Sequence, residues 1–89
     1  MNLDRDYTLR LMEACHRAET WKSSLNDRVF TGYCNTQQGL LRIDAKYTIF
    51  PQFISLTEVT VTKDFNKHTE RYCDFYIKKD SDLGEHLLH

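Results

Sequence analysis

The chain has 89 residues, of which 40% are apolar and 12% aromatic, and this suits one domain over residues 1–89 with a core of its own. The 12 basic and 13 acidic residues give a net charge of −1, so the basic excess of most nucleic-acid-binding proteins is missing. No apolar run approaches the roughly 20 residues that span a bilayer, and the charged N-terminus lacks the apolar stretch of a signal peptide. We therefore expect a cytoplasmic protein with no membrane partner.

The N-terminal region has the clearest periodic pattern, which predicts an amphipathic helix over about residues 3–25. Asp4 and Asp6 supply negative charge near its start, where the helix dipole favours it. Asn26-Asp27 is the predicted exit. The apolar residues recur at steps of three and four, as on one face of a helix, and they are Leu3, Tyr7, Leu11, Ala14, Ala18, Trp21 and Leu25.

The rest of the chain has strand-like alternation and predicts strands over about 28–34, 40–50, 53–63 and 69–79. In the third strand the apolar positions change phase between Leu56 and Val59. This predicts a β-bulge near Thr57-Glu58, with burial of both faces at one end as the alternative. Short connections favour antiparallel neighbours. The predicted fold class is α+β, with the N-terminal helix packed on a three- to four-stranded antiparallel sheet. The tail over 80–89 is expected to be a frayed end or a short helix.

Metal binding and catalysis find little support in the sequence. The three cysteines (Cys15, Cys34 and Cys73) are widely spaced, and only His68 and Cys73 are close enough in sequence to suggest a ligand pair. Free, buried thiols explain the cysteines better. Glycine-rich phosphate loops and nucleophile or zinc-protease motifs do not occur. We therefore predict no catalytic residues, no metal, no cofactor and no enzymatic activity.

Single-stranded nucleic acid is the alternative ligand class. Tyr72 and Tyr76 are predicted to share the open face of the sheet with Lys78, and aromatic side chains beside cations can stack on bases. Arg42 and Lys46 are expected alongside them. Acidic residues on the same face weigh against this ligand, namely Asp44, Glu58, Glu70 and Asp74.

A protein partner is the favoured prediction. On a helical wheel Leu9 and Met12 fall opposite the predicted core stripe, between Arg5 and His16, as an apolar pair that could anchor a partner. The competing explanation is that Leu87 and Leu88 of the tail cover this pair. The predicted contact residues are Arg5, Leu9, Met12, His16, Tyr72 and Tyr76. The partner is another protein, or a second copy of the chain docked on the outer face of the helix.

The predicted function is therefore a small non-catalytic protein-binding module of the adaptor or inhibitor type. Inhibitors that phages direct against host defence or transcription complexes share its small size and its lack of an active-site motif. This prediction rests on size and on missing motifs, with no positive motif behind it.

Overall fold

A computed structural model describes residues 2–89 and contains, within that range, two helices and six strands. The order is α1 (Arg5–Arg17), β1 (Trp21–Ser24), β2 (Val29–Thr36), β3 (Gly39–Ile49), β4 (Ile54–Lys63), β5 (Asn66–Arg71), β6 (Tyr76–Ile77) and α2 (Asp82–Leu87). Strands β1 to β5 lie side by side in sequence order as an antiparallel meander, and β6 pairs with the start of β4. The predicted α+β class is confirmed, but the sheet has more strands than the three to four expected.

Helix α1 is shorter than predicted because the chain reverses after Arg17. The Asp4 carboxylate accepts a hydrogen bond from the Tyr7 amide at 2.8 Å and caps the helix at its start. At the other end Glu19 has a left-handed φ of 57°, which ends the helical hydrogen-bonding pattern. Trp21–Ser24 then forms β1, where Trp21 lies opposite Gly32 of β2. The helix predicted to residue 25 is therefore wrong beyond Arg17.

The central strands agree closely with prediction. The observed β2, β3 and β4 begin and end within about two residues of the predicted ranges 28–34, 40–50 and 53–63. In β3 buried and more exposed residues alternate as predicted. The buried residues are Leu41, Ile43, Ala45 and Tyr47. The predicted β-bulge is confirmed at Thr57, since Lys46 lies opposite Glu58 and the next residue, Tyr47, lies opposite Leu56.

The continuous strand predicted over 69–79 is wrong. Strand β5 begins at Asn66 and ends at Arg71. The Tyr72 amide and the Phe75 carbonyl still form hydrogen bonds with β4, at Thr57 and Leu56, but the chain bulges at residues 73 and 74 before β6 pairs with β4. Asp74 has a φ of 60°, a value that strands do not adopt. As a result Cys73 is exposed, whereas the alternation pattern placed it in the core.

The tail folds back as the short helix α2 and completes the core. The Ser81 hydroxyl caps it by accepting a hydrogen bond from the Gly84 amide at 3.0 Å. Leu83 and Leu87 are buried, and the Tyr47 hydroxyl donates a hydrogen bond to the Leu87 carbonyl at 2.9 Å. The tail is thus a short helix, as one of the two expectations had it.

The connection between β4 and β5 is a tight turn with unusual backbone angles. Asp64 and Phe65 have φ values of 49° and 70°, as in a type I′ hairpin turn, where asparagine, aspartate and glycine are favoured. Phe65 is 99% exposed. A bulky residue in this region of backbone space is strained, and the ring of Phe65 gains no burial in return.

Candidate functional site

The predicted contact residues separate into buried and surface groups. Met12 is completely buried, so of the two alternatives for the Leu9–Met12 pair, an exposed position is wrong for Met12. The buried residues of α1 are Thr8, Leu11, Met12 and Cys15. Their spacing defines a stripe rotated from the predicted one, and of the predicted stripe only Leu11 belongs to it. The buried Thr8 hydroxyl forms a hydrogen bond with the Tyr72 hydroxyl at 2.8 Å.

Tyr72 also differs from prediction, because it does not lie on the open sheet face. Its hydroxyl donates to the Leu3 carbonyl at 2.7 Å, and its ring packs edge-on against Phe75 at 5.0 Å between centroids. Burial raises the pKa of this phenol. Tyr72 therefore ties the start of the chain to the segment between β5 and β6, and the predicted stacking pair of Tyr72 and Tyr76 is not assembled.

Tyr76 remains on the surface and joins an aromatic group that the sequence did not predict. It is 54% exposed, and its ring centroid lies 4.5 Å from that of Phe53, which in turn lies 5.0 Å from Phe50. Phe50 is 43% exposed. We name Phe50, Phe53 and Tyr76 the aromatic end cluster, because they meet where the β3–β4 connection and β6 come together.

Three contacts fix the aromatic end cluster. The Phe50 amide donates to the Phe53 carbonyl at 2.9 Å, and the Lys79 ammonium donates to the Pro51 carbonyl at 3.1 Å. The Tyr76 hydroxyl donates to the Asp74 carboxylate at 2.7 Å, and this hydrogen bond raises the pKa of Tyr76. The rings are therefore held in place from both sides.

A groove of about 300 Å³ runs from Tyr76 to helix α1 and brings Tyr76 together with Leu9. Leu9 is half-buried and packs against the core, so it is an accessible wall of the groove. Ile77 and Leu83 add apolar surface. Polar residues surround this lining, namely Glu13, Lys78, Ser81 and Asp82.

Arg5 and His16 lie outside this groove. The Arg5 guanidinium donates to the Cys73 carbonyl at 2.6 Å and lies 5.9 Å from the ring centre of Phe75, so it braces the segment that leads to Tyr76. His16 lies near the other end of α1, with its ring 4.2 Å from that of His86. Burial is the main cause that lowers the pKa of His86 to about 4, and the charges of the nearby His16 and His89 lower it further. Among residues 2–89, His16 Nδ1 and His86 Nε2 are buried nitrogens without a hydrogen-bond partner.

The sheet face opposite α1, here named the outer face, is open and polar. Cross-strand pairing places Tyr33, Arg42, Thr62 and Lys67 side by side near the β2–β3 and β4–β5 turns. The next row contains Lys22, Thr31, Asp44, Thr60 and Thr69, and the third contains Ser24, Val29, Lys46, Glu58 and Arg71. The nearby turn exposes Phe65, and Leu40 is also exposed at this end.

Within residues 2–89 the cysteines are not grouped with other potential metal ligands. Cys15 and Cys34 are buried and free, and burial with the neighbouring Cys34 raises the pKa of Cys15 to about 12. In the described part of the chain no three His, Cys, Asp or Glu side chains are grouped to hold a metal ion.

Comparisons with protein-family models, curated proteins and solved structures find no match to this chain. Within residues 2–89 no helix is both long enough and apolar enough to cross a bilayer. The surface residues that sequence reasoning missed are Phe50, Phe53, Tyr33 and Phe65. Phe50 and Phe53 flank Pro51 and Gln52 in a short connection, and paired aromatic residues at a proline-containing turn were the signal that could have revealed them.

Proposed function

We propose that this chain is a small, non-catalytic protein-binding module of the adaptor or inhibitor type. It contacts its partner through the aromatic end cluster and the adjoining groove. The observation that carries the proposal is the line of three packed rings, of which Phe50 and Tyr76 remain 43% and 54% exposed. Aromatic side chains supply large contact areas and are enriched at the energetic centres of interfaces.

The groove adds the arrangement of an interface, with an apolar lining and a polar border. Leu9, Ile77 and Leu83 contribute the lining, and the border carries both signs of charge. An apolar side chain of the partner would fit the lining, and polar groups around it would meet Glu13 and Lys78. This matches the apolar core and polar rim of known protein interfaces.

The aromatic end cluster is also preorganised, which lowers the entropy lost on binding. The hydrogen bonds from Tyr76 to Asp74 and from Lys79 to the Pro51 carbonyl hold both edges of the cluster before any partner arrives. Ordering a free, rotamer-rich side chain costs about 0.5–1.5 kcal/mol at an interface. A cluster that is already ordered avoids much of that cost.

The test uses affinity capture with a variant matched to a control. The tagged chain, the double variant Phe50→Ser/Tyr76→Ser and the control Tyr33→Ser/Leu40→Ser are each incubated with lysate of the source organism. The bound proteins are identified by mass spectrometry. Both variants replace two exposed apolar residues, but at opposite ends of the sheet. We expect a protein that the wild type and the control retain and that the Phe50/Tyr76 variant loses.

The captured protein is then purified and its affinity measured by calorimetry. The aromatic pair should account for about 2 kcal/mol or more of the binding free energy, as interface hot spots do. Self-association is measured in parallel by light scattering, because a second copy of the chain is the other protein that could occupy the groove. Equal binding by all three forms, with intact folding, would contradict the proposal.

A further inference from the structure

One end of the outer face combines exposed aromatic rings with cations. Tyr33, Arg42, Thr62 and Lys67 occupy consecutive strands at matching positions, so they form one row across the sheet. With strands about 4.8 Å apart, the row is about 14 Å long. We name these four residues the hairpin row. Tyr33 is 43% exposed, and the hairpin row contains no carboxylate.

The charges of the outer face are less balanced than the sequence suggests. Over the paired positions of β1 to β5 the outer face holds five cations (Lys22, Arg42, Lys46, Lys67 and Arg71) and two carboxylates (Asp44 and Glu58). Asp44 is neutralised by Arg42 at 3.0 Å, and Glu58 by Lys46 and Arg71, each at 3.2 Å. The Glu58 side chain is 20% exposed and that of Arg71 is 83% exposed, so positive charge stands nearer the solvent.

The turn beside the hairpin row exposes a second aromatic ring at an energetic cost. Phe65 has left-handed backbone angles and gains no burial within the chain. Strained residues are found most often at binding and active sites, where an external contact makes use of the strain. Lys67 lies two residues further along β5, and Lys63 immediately precedes the turn.

We propose that this end of the outer face binds single-stranded nucleic acid, independently of the protein-binding surface. Tyr33 and Phe65 stack on bases, while Arg42 and Lys67 contact phosphates and the Thr62 hydroxyl donates to one. An open depression of about 490 Å³ beside Tyr33, lined also by Lys22, Thr31 and Glu19, gives room for a base next to the ring. Stacking on aromatic side chains beside cations is the general mode of single-strand recognition. The groups involved differ from the Tyr72 and Tyr76 pair that the sequence suggested.

The experiment measures fluorescence polarisation of a labelled oligothymidylate of roughly 15 nucleotides. Binding of the wild type should weaken with salt. Because two cations, Arg42 and Lys67, contact phosphates, the slope of log affinity against log salt concentration should be about −1.4, at about 0.7 per neutralised phosphate for single strands. Tyr33→Ala and Phe65→Gly should each weaken binding about tenfold or more, the expected loss of one stacked base.

Two controls keep these results specific. Tyr76→Ala removes a tyrosine of similar exposure (54% against 43% for Tyr33) at the other end of the sheet and should leave binding to the oligothymidylate unchanged. Lys67→Ala should weaken binding and reduce the salt slope to about −0.7, whereas Lys78→Ala removes the same charge elsewhere and should change neither value. Circular dichroism of each variant confirms folding, and Phe65→Gly provides a second aromatic test should Tyr33→Ala not fold.

Two results would overturn the proposal. The first is no change in polarisation at about 50 mM salt with protein up to about 0.1 mM. The second is that polyglutamate competes with the labelled strand as well as unlabelled oligothymidylate does, while neither Tyr33→Ala nor Phe65→Gly weakens binding. That result would identify the outer face as a site for an acidic protein.

Discussion

Replacing Phe65 with glycine should stabilise the folded chain, although it removes a large apolar side chain. The left-handed conformation costs a residue with a side chain about 1–2 kcal/mol, and glycine adopts it without that cost. Glycine also gives the unfolded chain more conformational freedom, which offsets about 0.4–1 kcal/mol of the gain. Because the Phe65 ring is 99% exposed in the folded state, its removal loses almost no burial. The net stabilisation is about 0.7 kcal/mol.

For a domain of this size that difference raises the midpoint of thermal unfolding by about 4 °C. Thermal scans followed by circular dichroism have the resolution to detect this shift, and urea titrations give the free energy directly. Phe65→Ala is the matched control. Alanine keeps a Cβ and therefore the left-handed cost, while it removes the ring. Its midpoint should stay within about 1 °C of the wild type.

Two outcomes would contradict the explanation from backbone strain. If Phe65→Gly lowers the midpoint, the ring makes stabilising contacts that outweigh its backbone cost. If Phe65→Ala raises the midpoint as much as Phe65→Gly, the exposed ring rather than the backbone angle is responsible. A more stable variant that binds an oligothymidylate less tightly would show that the chain keeps Phe65 for contact with a ligand.

Three further predictions follow from burial and contact. Gly84→Ala, a change that ordinarily stabilises a helix by about 1 kcal/mol, should lower the midpoint of thermal unfolding because the new Cβ would collide with the Lys78 carbonyl oxygen. Met12→Ala should cost about 2–5 kcal/mol in urea titrations, because Met12 is fully buried, and Leu9→Ala should cost clearly less, because Leu9 is partly exposed. Burial of His86, followed in importance by the charges of His16 and His89, holds its pKa at about 4 against an ordinary 6.5. Between these two pH values the unfolded chain takes up a proton on this residue that the folded chain does not. The midpoint should therefore fall as pH decreases from about 6.5 toward 4, and His86→Gln should flatten that decline in thermal scans.

The fold was predictable where apolar and polar residues alternate regularly over a short stretch of sequence. Strand β3 and the bulge at Thr57 followed from the positions of apolar residues alone. The end of α1 did not follow from the apolar pattern, because Trp21 happens to continue the helical spacing although it lies in a strand. Its position is decided by pairing with Gly32 of β2, a contact between residues that are distant in sequence.

The candidate site was less predictable, because it depends on an irregularity between β5 and β6. The bulge at residues 73 and 74 places Tyr72 in a partly buried, hydrogen-bonded position and leaves Tyr76 on the surface, although both belong to one alternation phase. The reversal at Asp74 arises from a left-handed φ at a residue type that tolerates it. Single-sequence periodicity has no signal for such a reversal.

The two proposed surfaces lie at opposite ends of the sheet, because β4 runs from the aromatic end cluster to the turn at Phe65. The longest dimension of the chain is 37 Å, so ligands at the two ends need not overlap. Substitutions further apart than about 10 Å and without shared contacts act independently. If both proposals hold, one chain can hold a protein and a nucleic-acid strand together, and the rigid sheet between them fixes the distance. The expected arrangement is then a bridge between the two ligands, and simultaneous binding distinguishes it from an inhibitor that excludes one of them.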